Sequence, residues 1–172
     1  MQKHWEGSVY IDAPAEEVFA YLTDVTRHPD WDAFTEKVEL RNPGNEHGVG
    51  AEWKVYERLN LFSQGKRGTR WKNTMGVAHR EMREIVPYSR VAWHTHPVPA
   101  IGINADFTFE LEPEGEGTRV KQTVQLNIPG VIEFIGRPVE KRIDPKQREL
   151  WQASLEQLKA VVEANARVPA SV

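Results

Sequence analysis

The sequence predicts an α+β domain in which a curved, seven-stranded antiparallel sheet wraps around a long C-terminal helix, with two short helices between strands 1 and 2. Three observations predict this fold. Many segments alternate apolar and polar residues with a period of two, as half-buried strands do. Helix-start residues follow the first such segment, and the last part of the chain repeats apolar residues at helical spacing. A sheet and one long amphipathic helix bury their apolar surfaces against each other when the sheet curves around the helix.

The N-terminal elements are a strand and two short helices. Residues 4–13 alternate in polarity and predict the strand. Pro14 opens the next segment, where its missing N–H costs nothing in the first turn of a helix. Pro29 interrupts the helical pattern that follows, so we expect a second short helix or a turn that ends near Trp31.

Six further strands are expected, separated by turn-forming stretches. The turns are NPGNEHGVG, PYSR and EPEGEG. The strands lie in TEKVELRN, GAEWKVYERL, GVAHREMREIV, RVAWHTH and the two arms of NADFTFELEPEGEGTRVKQTVQLNI.

The final helix is expected over QRELWQASLEQLKAVVEAN. The segment before it is also apolar at helical spacing, but Pro138 and Pro145 should kink or split it. We expect a single domain over residues 1–166 and a frayed tail over 167–172.

Composition narrows the class of protein. The chain has 172 residues, 22 basic and 25 acidic side chains, a net charge of −3 and no cysteine. A disulfide, a thiolate metal site and a cysteine nucleophile are therefore excluded. The near-neutral balance gives no general attraction to nucleic acid. MQKHWEGSVY lacks the apolar core of a signal peptide, and no apolar run is long enough to span a membrane. We expect a cytoplasmic protein, monomeric or homodimeric, without integral membrane association.

A basic segment at residues 64–72 is the main departure from that balance. Basic residues interleaved with aromatic ones can bind nucleic acid, but a solvated loop is the expected interpretation because the rest of the chain is not basic. The residues concerned are Lys66, Arg67, Arg70 and Lys72, with Phe62 and Trp71.

With these elements in place, the chain resembles the START-like superfamily, also called SRPBCC or helix-grip proteins, and within it the polyketide cyclase/dehydrase and lipid-transport branch. The resemblance covers roughly residues 5–165. It is carried by SVYIDAPAEEVFAYLTDVTRHPDW, GVGAEW, REIVPYSRVAWH, EPEGEGTRVKQTVQL and LEQLKAVVEA, in that order.

The resemblance implies a deep cavity between the sheet and the C-terminal helix. Its expected occupant is a small hydrophobic or amphipathic ligand, either a lipid, a polyketide or an aromatic molecule, and no cofactor is expected. The alternative is an enzyme of the polyketide cyclase/dehydratase type. The superfamily's motifs are largely structural, so no catalytic set of residues is carried over.

The strand pairing around PYSR selects a candidate acid/base. If PYSR is the turn, Glu84 pairs with Trp93 and Met82 pairs with Thr95. The more apolar face, which includes Glu84, is then directed toward the cavity. A carboxylate there should have a raised pKa. Glu84, assisted by Arg80, is therefore the catalytic candidate; the alternative is a Glu–Arg ion pair at the sheet margin.

The remaining candidate ligand contacts are inward-facing positions of the strands and the last helix. The same positions are also compatible with simple core packing, and the one amide among them could bond a ligand or a buried water. The predicted ligand-binding residues are Trp53, Val55, Met82, Glu84, Trp93, Phe107, Phe109, Gln122, Val124, Leu155 and Leu158.

Two histidines define a metal alternative. His94 and His96 lie at i and i+2, so they share one face of a strand and could bind a metal, with Glu81 as a third ligand. The predicted pairing directs both toward the outer, convex face. We therefore expect exposed strand histidines and no metal site.

Overall fold

The structure is a computed structural model, and it describes residues 2–57, 77–98 and 102–166, including their side chains except at 97–98 and 131–146. The basic segment 64–72 and the tail 167–172 lie outside these residues, so the predictions made for them are untested.

The order of elements is the one predicted. A seven-stranded sheet has the order β1-β7-β6-β5-β4-β3-β2, and every neighbouring pair is antiparallel. The elements are β1 (Gln2–Ile11), α1 (Ala15–Thr23), a 3-10 turn (Val25–Arg27), α2 (His28–Trp31), β2 (Thr35–Asn42), β3 (Glu52–Glu57), β4 (Val77–Val86), β5 (Arg90–Val98), β6 (Ile103–Glu114), β7 (Gly117–Asn127) and α3 (Gly130–Ala166). The predicted fold class is confirmed.

The C-terminal helix is longer than expected. α3 runs without a break through Pro138 and Pro145, so of the two expected outcomes, a kink or a split, the split is wrong. The two prolines are seven positions apart, close to two full turns, and the hydrogen bonds they remove lie on one face. A helix accommodates such losses as curvature. Within the described residues, no helix is long and apolar enough to cross a membrane.

The core lies between the concave face of the sheet and the helices. Leu155, Leu158 and Val162 form the buried stripe of α3, and Val18 and Leu22 bury the inner side of α1. The inward positions of the strands complete this core, which includes Ile11, Trp53, Val55, Val91, Phe109, Val120 and Val124.

The β4–β5 hairpin differs from the predicted pairing in two ways. Val86 pairs with Arg90, so the connection is only three residues, with Tyr88 in the left-handed conformation at φ 60°. Closer to the middle of the strands, Met82 pairs with Trp93 but Glu84 pairs with Ala92. This register shift is a bulge that carries one extra residue on β4.

The bulge reverses which side chains of β4 face inward. Met82 and Arg80 lie opposite Trp93 and Thr95, and all four are buried on the concave face. On the turn side of the bulge, Glu84 has the opposite orientation. The predicted pairings of Glu84 with Trp93 and of Met82 with Thr95 are therefore wrong.

Candidate ligand-binding interior

An aromatic cluster covers the middle of the concave face. We define it as Trp31, Trp53, Trp93, Phe107 and Phe109. Trp93 is central: it stacks on Phe109 with ring centroids 4.9 Å apart and on Phe107 at 5.9 Å. Trp31 reaches the same rings from α2 and meets Phe109 edge-on at 5.9 Å. The cluster gives the interior a wall suited to flat apolar molecules.

His28 is inserted into this cluster from α2. Its ring centroid lies 5.1 Å from that of Trp93 and 5.7 Å from that of Trp53. Burial, followed by the positive charge of Arg80, lowers the pKa of His28 to about 4. The ring is therefore neutral at neutral pH. Nε2 lies 3.1 Å from the carbonyl oxygen of Leu22, so Nε2 must carry the proton, which leaves Nδ1 as an acceptor.

A buried ion pair adjoins the aromatic cluster. Arg80 Nη1 donates to Asp32 Oδ2 at 2.9 Å, and both side chains are almost wholly buried. Asp32 also accepts from Thr35 Oγ1 at 2.6 Å and from the backbone N–H of Phe34 at 3.1 Å. Burial alone would raise the pKa of Asp32, but Arg80 and these hydrogen bonds hold it below its usual value. Asp32 is therefore the fixed anion that matches Arg80.

Glu57 adds a second carboxyl at this end of the sheet. It lies opposite Thr35 in the β2–β3 pairing, two residues beyond the buried Val55. Burial raises the pKa of Glu57 to about 8; Arg80 opposes the rise and Asp32 adds to it. Part of the Glu57 side chain remains accessible to solvent, so the carboxyl can exchange its proton while densely packed atoms disfavour its charge. Glu57 is thus protonated at neutral pH.

The interior holds an unusual number of buried polar atoms without a hydrogen-bond partner among the described residues. Buried polar groups are nearly always paired, and tryptophan N–H groups usually find an acceptor. Seven atoms depart from this rule: His28 Nδ1, Trp31 Nε1, Trp53 Nε1, Arg80 Nε, Trp93 Nε1, Thr95 Oγ1 and Gln122 Oε1. All but Thr95 Oγ1 belong to the aromatic cluster or to residues that contact or pair with it, and Thr95 pairs with Arg80.

Most of the predicted ligand contacts line this interior. Nine are buried there: Trp53, Val55, Met82, Trp93, Phe109, Gln122, Val124, Leu155 and Leu158. Phe107 is partly buried and packs against them. Their role as ligand contacts stays a prediction.

Glu84 is the exception, and its predicted position is wrong. Its carboxylate accepts from Arg90 Nε at 2.9 Å, and Arg90 Nη1 also donates to Glu110 at 3.0 Å. This network lies on the convex face because the bulge at Arg83 reverses the direction of Glu84. The predicted pair with Arg80 does not form, since Arg80 is bonded to Asp32.

His94 and His96 lie on the convex face, as predicted. Their ring centroids are 4.5 Å apart, and His94 Nδ1 lies 2.5 Å from Asp106 Oδ1. Burial, followed by the neighbouring His94, lowers the pKa of His96. Among the described residues, no group of three or more His, Cys, Asp or Glu side chains is arranged to hold a metal ion.

Sequence reasoning missed three polar residues of the interior. His28 begins, and Asp32 directly follows, a helix of only four residues, which is too short to show a hydrophobic period. For Glu57 a signal was present: it continues the inward alternation of Trp53 and Val55 along β3.

A separate open cleft lies at the ends of β1, β6 and β7. It has a volume of about 270 Å³ and is lined by Gln2, Gly102, Asn104, Asn127, Ile128 and Pro129. Among the described residues that line it, there are amide groups but no charged side chain and no aromatic ring, so they offer less for recognition than the concave interior.

A curved antiparallel sheet that closes around a C-terminal helix, with an aromatic and polar inner face, defines a START-like helix-grip domain. The sequence matches the family described as polyketide cyclase/dehydrase and lipid transport over residues 2–163, and the chain belongs to this family. Membership supports a role in binding a small hydrophobic ligand or in cyclisation. Among curated proteins, none matches the chain.

Solved structures share the fold at low sequence identity. Protein CV1439 from Chromobacterium violaceum is 21% identical, with a TM-score of 0.62 over 93% of this chain and 96% of that one. The Zhui aromatase/cyclase from Streptomyces sp. R1128 is 17% identical, with a TM-score of 0.67 and full coverage of both chains. The di-domain ARO/CYC StfQ from the steffimycin biosynthetic pathway is 11% identical, with a TM-score of 0.71 over 98% of this chain and 53% of that one.

Proposed function

We propose that this protein binds a small hydrophobic or amphipathic molecule, a lipid, polyketide or aromatic compound, between the concave face of the sheet and α3. The observation that carries the proposal is the aromatic cluster together with the unpaired polar atoms around it. In a wall built only for stability, tryptophan is expected where its N–H reaches an acceptor. Three indole N–H groups without partners among the described residues favour a ligand that supplies the acceptors.

Extraction of the purified protein tests this proposal directly. Protein extracted into organic solvent should release a stoichiometric apolar or aromatic compound, and native mass spectrometry should show the corresponding mass increase. The family's two descriptions, cyclase/dehydrase chemistry and lipid transport, are both compatible with such a ligand.

A fluorescent apolar probe gives a second measurement. Trp93→Phe removes an indole from the centre of the cluster and should weaken probe binding about tenfold. Trp151→Phe is the matched control, because Trp151 packs on Trp5 and Phe34 instead of on the cluster. No extracted compound, together with no probe binding by the wild-type protein, would reject ligand binding.

An enzymatic role is the second candidate, and Glu57 is the observation that favours it. An aldol cyclisation needs one group to remove a proton next to a carbonyl and an acid to protonate the carbonyl oxygen. A general acid acts best with a pKa near the working pH, which is the condition of Glu57 beside Arg80 and Asp32. Family membership and the Zhui aromatase/cyclase fold agree with this chemistry.

A pair of glutamate variants tests the enzymatic role. With a linear poly-β-ketone as substrate and product analysis by mass spectrometry, Glu57→Gln should lower turnover by about a hundredfold. Glu84→Gln, on the convex face, should leave turnover unchanged. Equal turnover of the wild type and Glu57→Gln would remove Glu57 from the mechanism.

A further inference from the structure

One row of side chains crosses three strands at the polar end of the interior. Arg80 on β4 lies directly opposite Trp53 on β3 and Thr95 on β5. Directly opposed residues share a face, and their Cβ atoms are about 5 Å apart. All three side chains are buried. We call Trp53, Arg80 and Thr95 the recognition row.

Each member of the recognition row has a polar atom that lacks a partner among the described residues. These atoms are Trp53 Nε1, Arg80 Nε and Thr95 Oγ1. The first two are donors only, and a threonine hydroxyl donates as readily as it accepts. A group that satisfies the row must therefore be a hydrogen-bond acceptor, and an oxygen atom of a ligand meets that requirement.

Arg80 is held in place before any ligand arrives. Its Nη1 is bonded to Asp32 at 2.9 Å, and its Cζ lies about 6 Å from the ring centroids of Trp93 and Phe107. These contacts fix the guanidinium while its Nε–H remains unpaired within the described structure. A fixed donor binds an acceptor at a lower cost in side-chain entropy than a mobile one.

The charges around the row decide which acceptor it takes. Asp32 already neutralises Arg80, and His28 is neutral. Glu57 is either neutral or negative, so it never adds positive charge. A carboxylate or phosphate brought to the row would be a buried charge without a counterion, which is strongly unfavourable.

We propose that the recognition row receives a neutral oxygen acceptor, the carbonyl of a ketone, ester or amide or the oxygen of a hydroxyl, and that it discriminates against anionic ligands. The inference rests on the proposed ligand-binding function and adds the chemical class of the ligand's polar end. It excludes free fatty acids and other carboxylates as preferred ligands. The apolar part of the ligand lies against the aromatic cluster.

Three naphthalene probes of similar size test this selectivity by calorimetry or tryptophan quenching at neutral pH. 2-Acetylnaphthalene carries a neutral carbonyl, 2-naphthoate carries a carboxylate, and 2-methylnaphthalene carries no polar atom. The ketone should bind about tenfold tighter than either of the others, the gain expected from one hydrogen bond to a charged donor.

Thr95→Val locates the effect within the row. Valine is nearly isosteric with threonine, and removing a buried hydroxyl that has no partner among the described residues does not threaten the fold. The variant should lower the preference for the ketone severalfold, which is the contribution of one neutral hydrogen bond, while binding 2-methylnaphthalene as before. Thr108→Val is the matched control, because Thr108 lies opposite Ala92 on the other face of the sheet.

The outcomes separate the two proposals. Binding of none of the three probes rejects the ligand-binding function and the inference with it. Naphthoate binding as tightly as the ketone, or all three probes binding equally, overturns the neutral-acceptor inference while ligand binding stands. A ketone preference that is unchanged in Thr95→Val also overturns it, because the bound oxygen then makes no contact with the hydroxyl of the row.

Discussion

Two arginines of the β4–β5 hairpin form carboxylate pairs of the same length in opposite surroundings. Arg80 meets Asp32 at 2.9 Å on the concave face, and Arg90 meets Glu84 at 2.9 Å on the convex face. The side chains of the first pair are 4% and 8% exposed, whereas those of the second are 41% and 45% exposed. The difference between the pairs is therefore burial, not geometry.

Burial changes what each pair does for the protein. An exposed pair gains little, because water screens the attraction and the side chains lose freedom. In a buried pair, each charge depends on the other, since neither has water to replace its partner. The concave pair is thus a fixed polar element of the interior, and the convex pair is a surface contact. Each pair joins an arginine to a carboxylate, so residue type alone does not distinguish them.

Asp32→Asn should produce the largest loss of stability. It leaves Arg80 as a buried charge without its counterion, at a cost of about 3–5 kcal/mol in the free energy of unfolding. Urea unfolding followed by tryptophan fluorescence measures this loss. Combined with Arg80→Met, the loss should be smaller than the sum of the two single losses, because the double variant contains no unpaired charge. If the two single losses simply add, Asp32 and Arg80 are not energetically coupled. The buried pair would then not differ from the exposed pair in coupling energy.

The pH dependence of stability should contain two opposing contributions from the interior. Between its unfolded pKa of 4.5 and its folded pKa of about 8, Glu57 holds a proton only in the folded state, so stability falls as pH rises. Between its folded pKa of about 4 and its unfolded pKa of 6.5, His28 holds a proton only in the unfolded state, so stability rises with pH. Between pH 4.5 and 6.5 the two changes in stability oppose each other and cancel. Above pH 6.5 only the Glu57 contribution remains.

Glu57→Gln should therefore stabilise the protein at alkaline pH. The full shift corresponds to nearly 5 kcal/mol at about 1.4 kcal/mol per pKa unit, and partial solvent access reduces the expected gain to roughly 2 kcal/mol. Urea unfolding from pH 4.5 to 9 measures it. In His28→Gln the opposing contribution of His28 is absent. The free energy of unfolding should then fall with rising pH over the whole interval between the two pKa values of Glu57. Identical pH profiles for the wild type and Glu57→Gln would contradict the assignment of Glu57 to a buried position.

The sequence predicted which side chains face the interior where the alternation within one strand is sufficient to determine it. Period-two alternation places Trp53, Trp93 and Gln122 on the inner face, because parity within a strand needs no knowledge of its neighbours. It failed for Glu84, since a bulge on β4 shifts the register without changing the alternation nearby. A three-residue turn with Tyr88 at positive φ is equally invisible to a hydropathy pattern.

The alternation of residues along the strands could not predict the buried polar pair of the interior, for another reason. Asp32 follows a four-residue helix, and its direction is set by its tertiary contact with Arg80, 48 residues further along the chain. Such contacts join residues far apart in the chain, so no local spacing reports them. The inward position of Arg80 followed from its parity, whereas its partner did not.

Glu84→Gln should have the smallest effect on the free energy of unfolding. It tests the contrast at the exposed pair. Arg90 keeps Glu110 as a second partner at 3.0 Å, and all three side chains remain open to water. We expect a change below about 1 kcal/mol in the free energy of unfolding, further reduced by added salt. Arg90→Met with Glu84→Gln completes a double-mutant cycle that matches the one for Asp32 and Arg80. A coupling energy on the convex face as large as that on the concave face would mean that equal distance, and not burial, determines the strength of these two pairs.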